Sequence, residues 1–378
     1  MMSATETGDV RVERVEARLL SYPWDGYFKF LAGTRGHRVV VVKITADNGV
    51  VGWGQSLPVP RWSYEVPEAT LAVIAHYYAP ALAGCDPRDI PEAHRMMDRV
   101  VAPSFSTGMP ISRAGIDLAL HDLAGKLAGC SVAQLWNRSA DRPITLSWTI
   151  NVRTLDELEQ EVATARGRGY HHFNVKVAPD AEFDVQLVRR LRKLVPDGHL
   201  WADANCGYDL ATALAVAPRL ADAGVDVLEA PLRPNCISGY QALKRQGALP
   251  ITLDEGVVSP TDAEEFIRLQ MMDGLTIKLS RSGGLEAARR QIERVQDAGL
   301  FWLGSGLTDP DLSLAASLAL FSAYGLDQPA ALNGPQFLTR DILREPLAMD
   351  GDVAHVPAGP GLGVDVDEAK LAALSVDP

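Results

Sequence analysis

Phe173-Asn174-Val175-Lys176, Leu200-Trp201-Ala202-Asp203, Val227-Leu228-Glu229, Ile251-Thr252-Leu253-Asp254 and Leu275-Thr276-Ile277-Lys278 are five apolar runs, each ending in a charged residue. The charged ends are spaced by about 27, 26, 25 and 24 residues, close to the length of one strand followed by one helix. In a barrel of parallel strands the strand ends face one mouth. The spacing therefore gathers Asp203, Glu229 and Asp254 into one group with Lys176 and Lys278 on either side. Three converging carboxylates repel each other strongly unless a cation sits among them. The pattern predicts a divalent metal and, with it, an enzyme.

The same alternation extends outward. Strand candidates at 144–150, 172–177, 199–204, 226–230, 250–254, 274–279, 301–305 and 330–333 are separated by amphipathic stretches at 155–168, 181–194, 210–223, 260–271, 285–298 and 312–324. Strict alternation implies parallel strands with right-handed crossovers, and eight such units close more naturally into a barrel than an open sheet. No Gly-x-Gly-x-x-Gly follows the first strand, which counts against a dinucleotide fold. Upstream, Arg38–Ile44 and Val50–Gly54 flank Asp47-Asn48-Gly49, a hairpin turn signal. From Pro67 to about Asn137 the pattern is helical, most clearly from Ser112 to a stop at Gly129. The division expected is an α+β capping domain with lid loops over 1–140, a barrel over 141–345, and a segment over 346–378 that returns to the capping domain.

Composition narrows the function classes. The 378 residues are 47% hydrophobic, enough for a large core and more than one domain. A net charge of −12 with no basic run argues against nucleic acid and anionic membranes as partners. No apolar run is long enough to span a bilayer, and the polar stretch from Met1 to Arg11 is unlike a secretory signal. Four scattered cysteines without CxxC spacing point away from disulfides and zinc and toward a reducing cytoplasm.

The candidate ligands Asp203, Glu229 and Asp254 offer only oxygen, which favours Mg2+ over zinc. The competing reading is that each acid merely caps the next helix; three consecutive strand ends in register make it the weaker one. Asn205 and Glu255 stand just beyond two of the ligands, either as their supporting partners or as loop caps. Lys176 and Lys278, desolvated in a barrel mouth, are expected to fall in pKa toward neutrality and serve as bases, or else only to pair with the acids. A metal-held carboxylate loses part of its charge, which acidifies the neighbouring carbon and stabilises an enediolate. Opposed lysines then suit racemisation or epimerisation, and permit elimination or cycloisomerisation.

With these residues in view, the chain resembles the mandelate racemase and muconate lactonizing enzyme family of the enolase superfamily. The resemblance covers nearly the whole chain: the helix AGIDLALHDLAGKLAG, the strands WADAN, LEAP and LDE, then KLSRSGGL and LNGP. It implies an α+β capping domain over a modified TIM barrel, (β/α)7β, with one Mg2+ held by Asp203, Glu229 and Asp254 and with Lys176 and Lys278 as the two bases. A lysine on the sixth strand is similar to the muconate lactonizing subgroup; no histidine lies between His199 and His355 to supply the His–Asp pair of the mandelate racemase subgroup.

Three positions depart from the family pattern. Asn174 stands where the second strand usually carries another lysine, so Lys176 loses a like-charged neighbour and is better suited as an acid. Thr308 replaces the usual glutamate at the end of the seventh strand, followed by Asp309, which reads first as a turn cap. Asn333 replaces an aspartate on the eighth. The lid loops would be Tyr22–His37 and Ser56–Val66, where Trp24 and Arg61 are substrate-side candidates and Lys29 or Arg61 can meet a second anion if either is not simply solvated. The expected partner is a small carboxylate-bearing molecule, and the resemblance also suggests a homo-oligomer. An isomerase is the leading reading, a dehydratase of a hydroxy or sugar acid the alternative, and a non-catalytic binding barrel the third.

Overall fold

A computed structural model describes residues 9–103 and 106–377; most of the stretch from Met1 to Arg11 that the sequence reading sets apart from a secretory signal lies outside the described residues. Three antiparallel strands, Val12–Tyr22, His37–Ala46 and Val51–Ser56, form a meander, joined by the predicted hairpin at Asp47-Asn48-Gly49. The helix Pro110–Ala128 lies across this sheet and ends at Gly129 in the left-handed conformation, as a glycine stop allows. It is buried continuously from Pro110 to Gly125, so its polar residues Arg113, Asp117, His121 and Asp122 face protein along with its apolar ones. Its close approach depends on Gly52 and Gly54: a Cβ there would stand 2.2 Å from the Ala119 carbonyl oxygen and 2.1 Å from that of Gly115.

The barrel strands Ser147–Ile150, His172–Lys176, Leu200–Asp203, Val227–Glu229, Ile251–Leu253, Gly274–Ile277 and Phe301–Gly304 form one parallel sheet in sequence order. The eighth predicted strand is reduced to single bridges. Ala330 pairs with Leu146 at one edge and Ala331 with Ser305 at the other, and these two residues close the ring. Six of the outer helices lie within about three residues of their predicted ends. A seventh, Ile237–Gln246, was not anticipated: its N-cap is Cys236, with no side-chain hydrogen bond, and only Gly247, its left-handed C-cap, marks it in the sequence. Near the end of the chain, Met349–Asp350 and Val353–Ala354 form a hairpin on Ile144–Thr145, after which Val376 donates to the Leu19 carbonyl. No helix among the described residues is long and apolar enough to cross a membrane.

The capping sheet and the barrel are joined by buried polar contacts. The Tyr22 hydroxyl donates to Asp311 Oδ2 at 2.7 Å and receives Gln55 Nε2 at 2.9 Å, while Ser313 N donates to Gln55 Oε1 at 3.1 Å. Asp117, on the long helix, accepts from Leu285 N on the barrel at 2.5 Å and contacts His94 Nε2 at 2.8 Å. The Leu285 contact needs Gly284, whose φ is +109° and whose Cβ would collide with the Asp117 carboxylate. His37 is buried beside Thr308. Burial pushes its imidazole down to about 4, against a smaller upward pull from the Thr308 main chain.

Two outcomes follow. Gly54→Ala overfills the sheet–helix contact and is expected to cost about 1–3 kcal/mol, read as a lowered denaturant midpoint at unchanged slope; an unchanged midpoint refutes the close-packing account. A buried histidine with a depressed pKa supplies stability that is present above its unfolded value near 6.5 and lost as pH falls through about 4. The wild type should therefore lose up to roughly 3 kcal/mol more than His37→Gln between those limits, measured by urea unfolding across pH. Parallel pH curves for the two proteins would contradict it.

Candidate active site

Parallel register sets Lys176 opposite Asp203 and Asp203 opposite Glu229. Three successive strands thus deliver their last residues to one row at the mouth. Asp254 and Lys278 are the residues immediately after the fifth and sixth strands. All five side chains are buried or nearly so, with Lys176 6% exposed and Lys278 1%. The structure brings together the five residues that the strand-end spacing selects.

The charges are interleaved. Lys176 Nζ lies 2.5 Å from Asp203 Oδ2. Lys278 donates to Asp254 and stands 3.7 Å from Glu229 Oε1. Arg281 is buried with its Nε 3.3 Å from Asp254 Oδ1, and the Trp201 indole donates to Glu229. Asn205 Nδ2 bridges Asp203 Oδ2 at 3.0 Å and Glu255 Oε1 at 3.1 Å, which places both predicted supporting residues beside the acids. Sequence reasoning passed over Arg281 and Trp201. Arg281 lies one helical turn after Lys278 in KLSRSGG, a spacing that points two cations the same way.

These contacts set the protonation of the group. Burial alone would raise Asp203, but the charges of Lys176, Lys278 and Lys29 outweigh it and hold the carboxyl below its ordinary range. Glu229 moves the other way: burial, then the charge of Asp203, push it well above the carboxylate range. For Lys278 the expected fall toward neutrality is not what the structure shows. Burial pulls it down, yet Asp254 and Glu229 hold it above the ordinary lysine value. The Lys278 ammonium keeps its proton and serves as the countercharge of these acids.

The donor set fits a hard divalent ion. Glu229 Oε1 and Asp254 Oδ1 are buried and accept no hydrogen bond, a costly state for carboxylate oxygens. Among the described residues no three His, Cys, Asp or Glu side chains stand close enough together to enclose an ion as they are; Lys176 pairs with Asp203 and Lys278 with Asp254. An ion coordinated by these oxygens, which have charged neighbours but no hydrogen bond, would supply the missing partner.

Above the row sits Trp62, from the second lid loop, buried to 7% exposure. Lys176 Nζ is 5.5 Å and Lys278 Nζ 5.1 Å from its ring centroid, within cation–π range. Its ring stacks on Phe30 of the first loop at 4.5 Å and 1°; Phe28 meets Trp62 edge-on and stacks on Phe337. Arg281 Nη1 donates to the Trp62 carbonyl at 3.4 Å. The aromatic lid residues therefore both join the domains and roof the site.

The remaining candidates divide. Asn174 is buried at 1% exposure with both amide atoms unpartnered. Thr308 is buried, holds φ at +63° and leaves its Oγ1 unpaired, a strained state for a β-branched residue. Asn333 Nδ2 donates to Thr149 Oγ1 at 3.3 Å. Asp309 accepts from Ser280 Oγ and Leu307 N; it caps the loop, and burial raises it to about 6. Two residues lie outside the mouth. Arg61 is exposed and ties the loops together through the Ala32 carbonyl at 3.0 Å, and Trp24 packs beside Leu338.

Comparison with known proteins agrees with this geometry. Residues 157–370 match the enolase C-terminal domain-like family and residues 16–136 the N-terminal domain of mandelate racemase / muconate lactonizing enzyme. The chloromuconate cycloisomerase of Cupriavidus necator is 31% identical over 337 residues, covering 88% of this chain and 90% of that one. An N-succinyl-L-Arg/Lys racemase of Bacillus cereus is 26% identical over 89% of this chain and 90% of its own. Among solved structures, muconate lactonizing enzyme from Pseudomonas fluorescens complexed with muconolactone superposes with a TM-score of 0.90 at 25% identity, over 97% of this chain and all of that one.

Proposed function

As the chain belongs to the mandelate racemase and muconate lactonizing enzyme family and is an isomerase of that type, we propose that Lys176 and Lys278 move the proton beside the carboxylate of a small substrate. The observation that carries this is the placement of two buried ammonium groups about one row of three buried carboxylates, both facing the Trp62 ring.

Asp203, Glu229 and Asp254 are assigned as ligands of one Mg2+, their oxygen-only donor set suiting a hard ion. When bound, that ion offsets the charge of the substrate carboxylate and so acidifies the adjacent C–H. Relieved by the ion as the countercharge of Asp254 and Glu229, Lys278 gives up the proton it carries in this structure. In its neutral form Lys278 takes the proton from the α-carbon onto Nζ, and the C–H electron pair moves into the carbon–carboxylate bond as an enediolate. Lys176 faces the carbon from the other side and returns a proton there, which inverts the centre; in a cycloisomerase only one of the two transfers is needed. Trp62 and Phe30 exclude water from the reacting carbon, and Arg281 holds both the Asp254 side and the Trp62 backbone in place. Asn205 fixes Asp203 relative to Glu255. The cycloisomerase and racemase relatives support this reading, with a carboxylate as the shared feature.

The test is hydrogen exchange in heavy water across a panel of carboxylic acids with Mg2+ present. Deuterium entering at the α-carbon without loss of water is the expected result; a keto-acid product, or no exchange with any acid, overturns it. Lys278→Ala should lower exchange by about 10³-fold while Mg2+ still binds, and retained exchange would remove Lys278 from the mechanism. Glu229→Gln should weaken Mg2+ binding by about 100-fold or more in calorimetric titration; unchanged affinity would dismiss the ligand assignment.

A further inference from the structure

The three acids of the row are held in different ways. Asp203 Oδ2 is taken by Lys176 and by Asn205 Nδ2, and Asp254 Oδ2 by Lys278. Glu229 accepts on Oε2 from the Trp201 indole, while its Oε1 has no hydrogen bond and lies 3.7 Å from Lys278 Nζ. Trp201 stands two residues before Asp203 in the third barrel strand, so the two side chains leave the same face of that strand. The indole therefore lies one layer below the acids.

Packing fixes that ring. Trp201 is fully buried and forms a small cluster with Val227 of the fourth strand, Leu303 of the seventh and Ala331, which helps close the ring of strands. Contact with Leu303 and Ala331 reaches strands that carry none of the three acids, and a close-packed interior leaves a large ring no freedom to turn. The position of the indole N–H is thus set independently of the carboxylate it serves. A hydrogen bond from such a donor to a buried carboxylate is charge-assisted and meets no competing water.

We propose that Trp201 is a positioning residue of the ion site: its indole N–H pins Glu229 Oε2 and so presents Oε1 as the single oxygen that this residue offers the ion. This takes Glu229 to be a ligand, and so rests on the proposed function. Trp201 acts through Glu229 and moves no proton. Lys176 and Lys278 carry full charges that a divalent ion among the acids repels; the indole carries none, and its bond persists when the ion is bound. Without the N–H, Glu229 is free to turn and give both oxygens to Lys278, which competes with the ion for the same charge.

The experiment pairs calorimetric Mg2+ titration of the wild type, Trp201→Phe and Glu229→Gln with nitrogen-15 spectra of the indole N–H groups. Trp201→Phe keeps a ring in the cluster and should weaken Mg2+ binding by about tenfold to a hundredfold. Of the seven tryptophan signals, the one absent from Trp201→Phe should lie downfield in the wild type, as an N–H bonded to a carboxylate does. It should move in step with Mg2+ saturation and shift upfield in Glu229→Gln, whereas a ring that only fills the barrel responds to neither. The wild-type and Glu229→Gln spectra decide the matter even where Trp201→Phe does not fold: no downfield indole signal answering to both Mg2+ and Glu229→Gln overturns the inference. Unchanged Mg2+ affinity in folded Trp201→Phe, with affinity lost in Glu229→Gln, overturns it and leaves the proposed function standing. Unchanged affinity in Glu229→Gln overturns both.

Discussion

Three acidic side chains are buried together at the end of a barrel, and most of the molecule is organised around making that tolerable. Coulomb repulsion between carboxylates a few ångströms apart in a poorly solvated site far exceeds what packing alone can offset. Lys176, Lys278 and Arg281 are the protein's answer within its own sequence. The answer is incomplete, because two of the oxygens remain without hydrogen bonds. Barrel, cap and loops can be read as devices that hold this cluster in place and keep water from relaxing it.

The cap is held to the barrel with unusual economy. Tyr22, Gln55, Asp117 and His37 each reach across to a barrel group, and each is buried. Buried hydrogen bonds are directional in a way that apolar contact is not. They fix the height and rotation of the capping sheet, and with it the position of both loops relative to the carboxylate row. Asp311, which accepts from Tyr22, belongs to this joint, and burial there raises its carboxyl to about 6.

Much of this was legible in the sequence, for a physical reason. Strand ends recur once per βα unit, so the charged residue that closes each run is tied to a fixed place in the fold, and Lys176 through Lys278 could be assigned by counting. Six outer helices were found to within a few residues, three of them without a side-chain N-cap. Ile237–Gln246, also uncapped, was not found. What counting cannot supply is contact between distant segments. That Arg61 would bond to the Ala32 carbonyl of the other lid loop, and Phe30 stack on Trp62, is written in no local pattern. The upward displacement of Lys278 was missed for a related reason: desolvation was visible in the sequence, but the distance to Asp254 was not.

The stack of Phe30 on Trp62 joins two loops that are separate in the chain, at 4.5 Å and nearly parallel. One ring belongs to the connection between the first two strands of the cap, the other to the segment leading into its helices. Neither loop can then change its length or path without unseating the other. The two loops are thus coupled in shape: a side-chain change that widens the pocket at one ring alters the seat of the other, so the roof behaves as a single two-loop piece.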